Sequence, residues 1–216
     1  MRPVAGLLLA ALMGAECERA APETFAPAGG GSTTGVSRAA PGPPSDAASA
    51  TPAASVPSAG EGARCVQTTP AEPPPAVAPG PAPGCPPDPE GGPGKLPIVH
   101  VSFPDAAAVR VDAELVRSEH DSMRGLMYRK SLGADRGMLF DLLVRDDHMF
   151  WMHNTCIPLD LLYIDEDGLL VGIVENAPTL NDESRGVGCP SRWVLEVNAG
   201  WCRRHGVKAG QHVSLP

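Results

Sequence analysis

Apolar and polar residues alternate strictly from Val109 to Leu115, VRVDAEL, the mark of a strand with one buried and one solvated face. Ile98 to Phe103 reads as a shorter strand before it. Ser118 with Asp121 forms a capping pattern, which predicts a helix from Glu119 with Met123, Leu126 and Met127 on its apolar face and Gly133 at its end. Gly125 inside that helix costs about 1 kcal/mol relative to alanine, so its presence predicts close packing against a neighbour. Further strands are predicted at Gly137–Phe140 and His148–Met152. Pro158 interrupts pairing, and Leu159 to Ile164 follows as a nearly continuous apolar strand. The turn Asp165-Glu166-Asp167-Gly168 folds it into a hairpin with Leu169 to Val174. Asn176 to Ser191 reads as a long polar loop, Trp193 to Val197 as a strand, Asn198 as the cap of a short helix to His205, and Gln211 to Leu215 as the last strand. Many short strands and two short helices predict a mostly β fold, a compact β-sandwich or partly closed barrel.

This patterning begins only after Leu96. Of the 216 residues and 25 prolines, 19 prolines lie between Cys17 and Pro97, in a run rich in Ala, Gly, Ser and Thr. Such a run has little apolar surface to set against its ordering entropy, so residues 18–97 are expected to form a disordered arm, extended where proline dominates from Glu72 to Pro83. Residues 98–216 are expected to form a single β-rich domain. At the other end of the arm, Arg2 and an apolar run to Ala15 make residues 1–17 a secretory signal, too short to span a bilayer. Cys17 is the candidate for lipid attachment, with Gly14 and Glu16 departing from the usual lipoprotein signal and plain cleavage nearby as the alternative. The expected destination is the periplasm or an outer-membrane lipoprotein. In that oxidising compartment Cys65 and Cys85 are expected to pair, being close together in a flexible arm. Cys189 with Cys202 is a conceivable second bridge, and Cys156 is then a buried free thiol.

Charge narrows the function classes. The chain carries a net −8, and residues 98–216 hold 17 acidic and 12 basic side chains without a Lys/Arg run. That argues against nucleic acid as a partner. Membrane contact is expected only through the lipid on Cys17. The acidic steps Asp146-Asp147 and Asp165-Glu166-Asp167 lack the spacing of a calcium loop. His148, Met149, Met152, His153 and Cys156 are soft metal ligands close in sequence, but a strand sends His148 and His153 to opposite faces. No metal and no cofactor is therefore expected. The nucleophile, zincin, phosphate-loop and C-x-x-C motifs are absent from the sequence.

Several motifs nevertheless stand in a distinctive order. Arg124-Gly125-Leu126-Met127 with Arg129 and Leu132 precedes Gly137-Met138-Leu139-Phe140. Phe150-Trp151-Met152, Asn154-Thr155 and Ile157-Pro158-Leu159-Asp160 follow, then Val194-Leu195-Glu196 and Ala199-Gly200. Together they resemble the domain of unknown function 192 family over Val109 to Leu215. The resemblance implies a compact β-rich fold with a packed helix, often exported, and no established activity. His153 stands where that family usually has lysine.

The densest of these motifs, Met149 to Asp160, holds the candidate chemistry. Arg124, Asn154, Asp160 and Glu196 are polar groups in apolar surroundings, and Trp151 beside them offers a flat aromatic face. In a purely structural role Arg124 would pair with Asp160, and Asn154 and Thr155 would serve a turn. In a binding role Arg124, Trp151, Asn154, Asp160 and Glu196 would line a cleft for a sugar or another small polar ligand. The expected function is thus a non-enzymatic exported module on a tether, taking a small polar ligand or a cell-envelope component as partner. The alternative is a carbohydrate-active hydrolase using Asp160 and Glu196 as paired carboxylates, which must then face each other about 5 to 10 Å apart. Trp151, set in the central strand, is expected to be buried more deeply than Trp201.

Overall fold

The computed structural model describes residues 64–216. The signal sequence expected at 1–17, the lipidation candidate Cys17 and the expected arm up to residue 63 lie outside the described residues. The chain forms β1 (Ile98–Phe103), β2 (Val109–Val116), α1 (Glu119–Arg124), β3 (Arg136–Asp146), β4 (Phe150–Met152), β5 (Leu159–Ile164), β6 (Leu170–Ala177), β7 (Asn181–Arg185), β8 (Ser191–Asn198) and α2 (Trp201–His205). Six strands make one mixed sheet in the order β1-β2-β3-β8-β5-β6, and β4 with β7 makes a second, two-stranded sheet. The fold is mostly β, as the patterning predicts, but the large sheet stays open and does not close into a barrel. Its only parallel pair, β2 with β3, needs a crossover connection, and α1 lies in it.

The sheet buries both faces. Every residue of β5 is buried, which explains an apolar run broken only by Asp160. One face carries Leu162, Ile164, Leu195 and Val197, covered by Trp201 and Cys202 of α2 and by Val213. The other carries Leu159, Leu161, Tyr163 and Val194, covered by Leu126, Met152 and Ile157. Trp201 is fully buried against Phe103, with ring centroids 5.2 Å apart, while Trp151 is 42% exposed. The expected order of the two tryptophans is therefore reversed. β4 belongs to the small outer sheet, so only Phe150 and Met152 turn inward.

Other boundaries moved for local reasons. Ser118 caps α1 as predicted, its Oγ accepting from the Asp121 amide at 3.1 Å. The helix ends at Gly125, not Gly133, because Gly125 takes φ +48°, a conformation that side chains disfavour. Its predicted close neighbour is Phe140, whose Cζ would lie 3.4 Å from a Cβ there. The polar loop after Asn176 contains β7, a strand of Asn, Asp, Glu, Ser and Arg that exists by pairing with β4. Asn198 does not cap α2; its amide donates to the carbonyls of Leu132 and Gly133 at 3.2 and 2.9 Å. Gln211 to Leu215 contributes only isolated bridges.

The larger correction concerns the arm. Residues 64–97 lie on the folded core. Cys65 bonds to Cys189 and Cys85 to Cys156, so Cys65 and Cys85 do not pair with each other, and the buried free thiol is Cys202. Gln67 donates to the Val171 carbonyl at 2.7 Å along β6, the edge strand of the large sheet, and so covers part of an edge that would otherwise stay unpaired. Arg203 donates to the carbonyls of Pro70 and Ala71 at 2.7 and 3.1 Å while paired to Glu175 at 2.6 Å. These distant partners offset the ordering entropy that the arm's own composition cannot.

Two outcomes are expected. Trp201→Ala should destabilise the protein by about 3–5 kcal/mol and Trp151→Ala by less than about 1 kcal/mol; equal urea midpoints would contradict the burial described. Peptide mapping without reduction should recover Cys65 joined to Cys189 and Cys85 joined to Cys156, with Cys202 alkylated only after unfolding.

Candidate functional site

A cleft opens where α1, β4 and β8 meet. It is lined by Arg124, Gly125, Phe150, Trp151, Thr155 and Glu196, among others, and is narrow, with a cavity volume of about 30 Å³, room for about one water. The early stop of α1 at Gly125 brings the chain across Phe140. Phe150 then packs edge-on against Phe140 at 5.1 Å and Tyr163 at 6.1 Å, which fixes the cleft's aromatic wall. Trp151, next along β4, projects outward and stacks on His153 with centroids 4.9 Å apart and planes 25° off parallel. His153 Nδ1 lies 2.7 Å from Asp182 Oδ1.

Glu196 is the unusual member. It is 4% exposed, and its carboxyl has no hydrogen-bond partner among the described residues. Burial pushes its pKa up to about 8, with Arg129 opposing from a distance. At neutral pH it is therefore largely a neutral acid that can donate a hydrogen bond into the cleft.

The remaining candidates are placed differently from expectation. Arg124 lines the cleft but does not pair with Asp160; it binds Asp88 at 2.6 Å and Glu90 at 3.1 Å, both from the arm, with its guanidinium 5.5 Å from the Tyr128 ring centre. Asn154 sits at φ +51° and donates to the Tyr128 hydroxyl at 3.0 Å, one step behind the lining residues. Asp160 is fully buried and accepts from the amides of Asn176, Gly200 and Cys202 at 2.9, 3.0 and 3.0 Å. In the pairing of β5 with β8, Asp160 stands opposite Val197 and Leu161 opposite Glu196. Asp160 and Glu196 thus point to opposite faces of the sheet and cannot flank one bond, which removes the paired-carboxylate hydrolase. Cys156, in a disulfide, offers neither a thiol nor a metal ligand. Sequence reasoning missed Phe150, Thr155 and Gly125 as lining groups, although all three stand inside the motifs that drew attention.

A family model described as an uncharacterized ACR, DUF192, matches residues 101–215. The chain belongs to the DUF192 family. No curated protein matches it. This DUF192 chain is similar to a Sinorhizobium meliloti 1021 protein, provisionally titled a transcription regulator, at 34% identity and TM-score 0.55, over 57% of this chain and 98% of that one. It is also similar to a protein of unknown function from Novosphingobium aromaticivorans DSM 12444, at 33% identity and TM-score 0.54, over 64% and 94% of the two chains. The two disulfides of this DUF192 chain suggest an oxidising, exported environment. Among the described residues no helix is long and apolar enough to cross a membrane.

Glu196 gives a pH-dependent stability of definite sign. The folded chain holds its proton up to about pH 8, against an ordinary value of 4.5. Between those values the folded state binds more protons than the unfolded one, so this group's contribution falls as pH rises, by at most about 1.4 kcal/mol per unit. Glu196→Gln removes that loss. The difference in urea midpoint, variant minus wild type, should grow in the variant's favour from about pH 5 to pH 8; a difference that stays flat with pH would contradict the buried carboxyl.

Proposed function

We propose that this protein is an exported, tethered, non-enzymatic module that binds a small polar ligand at the mouth of the cleft between α1, β4 and β8, one polar group of the ligand reaching in. The observation that carries the reading is Glu196, a buried carboxyl with no protein partner at the base of an open cleft. The Glu196 oxygens keep contact with solvent through the cleft and have no protein hydrogen-bond partner, so a polar group entering there meets an acid that is free to bond it. Trp151 gives that group a flat apolar neighbour, half exposed at the rim, against which a sugar ring or a similar polar molecule can stack. Arg124 supplies donors at the other end, and Asn154 holds it indirectly through Tyr128. Asp160 belongs to the scaffold. Retention at the cell envelope, in the periplasm or as an outer-membrane lipoprotein through Cys17, is part of the same reading.

The test is a thermal-shift screen of the full chain against monosaccharides, glycans and polar metabolites. Ligands should raise the melting temperature of the wild type, and affinity should fall at least about tenfold, the equivalent of one hydrogen bond of about 1.4 kcal/mol, in both Glu196→Gln and Trp151→Ala. Hits whose affinity neither substitution changes would sink the cleft as the binding site.

A further inference from the structure

Arg129, Arg145, Arg192 and Arg203 each meet a carboxylate of the β-rich core: Glu114, Asp165, Asp141 and Glu175 respectively, three on strands and Asp165 in the turn after β5. Arg124 is as well buried as any of them, at 11% exposure, yet among the described residues no carboxylate of the β-rich core reaches it. Both of its partners come from the arm. Asp88 Oδ2 accepts from Nη2 at 2.6 Å, the Gly92 carbonyl accepts from the same nitrogen at 3.2 Å, and Glu90 Oε1 lies 3.1 Å from Nη1. Arg124 also lines the cleft that ends at Glu196. The core thus presents an oriented guanidinium, backed by the Tyr128 ring, and leaves its charge to be met from elsewhere.

The arm segment that meets it runs between a covalent anchor and two glycines. Cys85 anchors it to Cys156 three residues before Asp88, so the tether survives when the segment moves. Gly91 and Gly92 take φ of +76° and +135°, and a Cβ added at either would meet nothing within 4 Å. Apart from those with Arg124 and the solvent-exposed His120, the segment's polar contacts are within its own turn, the Glu90 amide donating to Asp88 at 3.0 Å. Glu90 is about half exposed and contributes little to holding the segment, whereas Asp88 is mostly covered, so a ligand must offer Arg124 an equally close carboxylate to replace it.

Building on the ligand cleft proposed above, we infer that its ligand carries a carboxylate, that Arg124 recognises it, and that Asp88 and Glu90 of the arm are an intramolecular stand-in which the ligand displaces. Two carboxylates already sit on this guanidinium, and its fork geometry matches a third of the same kind. The arm then acts as a tethered competitor, which raises the ligand concentration needed for entry.

The test uses the full chain, as wild type and as Asp88→Asn/Glu90→Gln. Three probes are titrated by calorimetry and by the Trp151 indole resonance in NMR: glucuronate against glucose, N-acetylglycine against its amide, and the arm peptide of residues 87–92 against its Asn/Gln counterpart. At least one carboxylate should bind the double variant about tenfold more tightly than wild type, the neutral counterparts should not discriminate, and Arg124→Ala in the double variant should abolish the gain. Carboxylates that bind both proteins equally, that bind neither, or that keep their gain without Arg124 would overturn the inference. Failure of the cleft itself reads out separately, as neutral hits from the wider screen that ignore Glu196→Gln.

Discussion

Asp160 accepts three backbone hydrogen bonds in a place no water reaches, and most of the architecture follows from that. It lies on β5, the strand buried on both faces, and its oxygens join β5 to the end of β6 at Asn176 and to the start of α2 at Gly200 and Cys202. One of those bonds goes with a backbone shape that side chains disfavour, Asn176 at φ +53°, and another meets a glycine, Gly200, that takes φ +72° freely. The bonds set α2 on the sheet so that Trp201 and Cys202 close one core. A buried carboxylate is tolerated only when its lone pairs are met, and removing its partners costs about 3–5 kcal/mol. Asp160 is therefore structural because it is saturated, whereas Glu196, one strand away, is a candidate for binding because it is not.

The sheet separates those two roles. Side chains alternate along β5 and β8, so the face that receives Asp160 is committed to anchoring α2, and the opposite face is left for the cleft. The aromatic packing of Phe140, Phe150 and Tyr163 stiffens the second face without filling it completely. A rigid wall beside an unsatisfied acid suits recognition of a small molecule, since little has to reorganise when one arrives.

Local physics was legible in the sequence and long-range physics was not. Alternation found β2, the apolar run found β5 with its hairpin to β6, and the Ser118 cap found the start of α1, because each signal is contained in a few neighbouring residues. The motif residues Arg124, Trp151 and Glu196 do meet in one cleft. Asp160 stood in the same motifs and faces the other way, which only strand register decides. The burial of Trp201 depends on how α2 folds back, and the exposure of Trp151 on β4 leaving the main sheet. The disulfides were misjudged for a related reason: closeness in sequence favours Cys65 with Cys85 only while the arm is free, and contacts such as Arg203 with Pro70 hold it elsewhere.

Cys202 is the one thiol that the two bridges leave over among the described residues. It has no exposed surface, and burial together with the neighbouring Asp160 pushes its pKa far up, so the native chain keeps it both hidden and protonated. A thiol reagent can meet it only when α2 lifts from the sheet. The chain thus carries its own stopwatch: the rate at which a thiol reagent modifies Cys202 in buffer counts the spontaneous openings of the Asp160-held core, with no engineered cysteine and no denaturant needed.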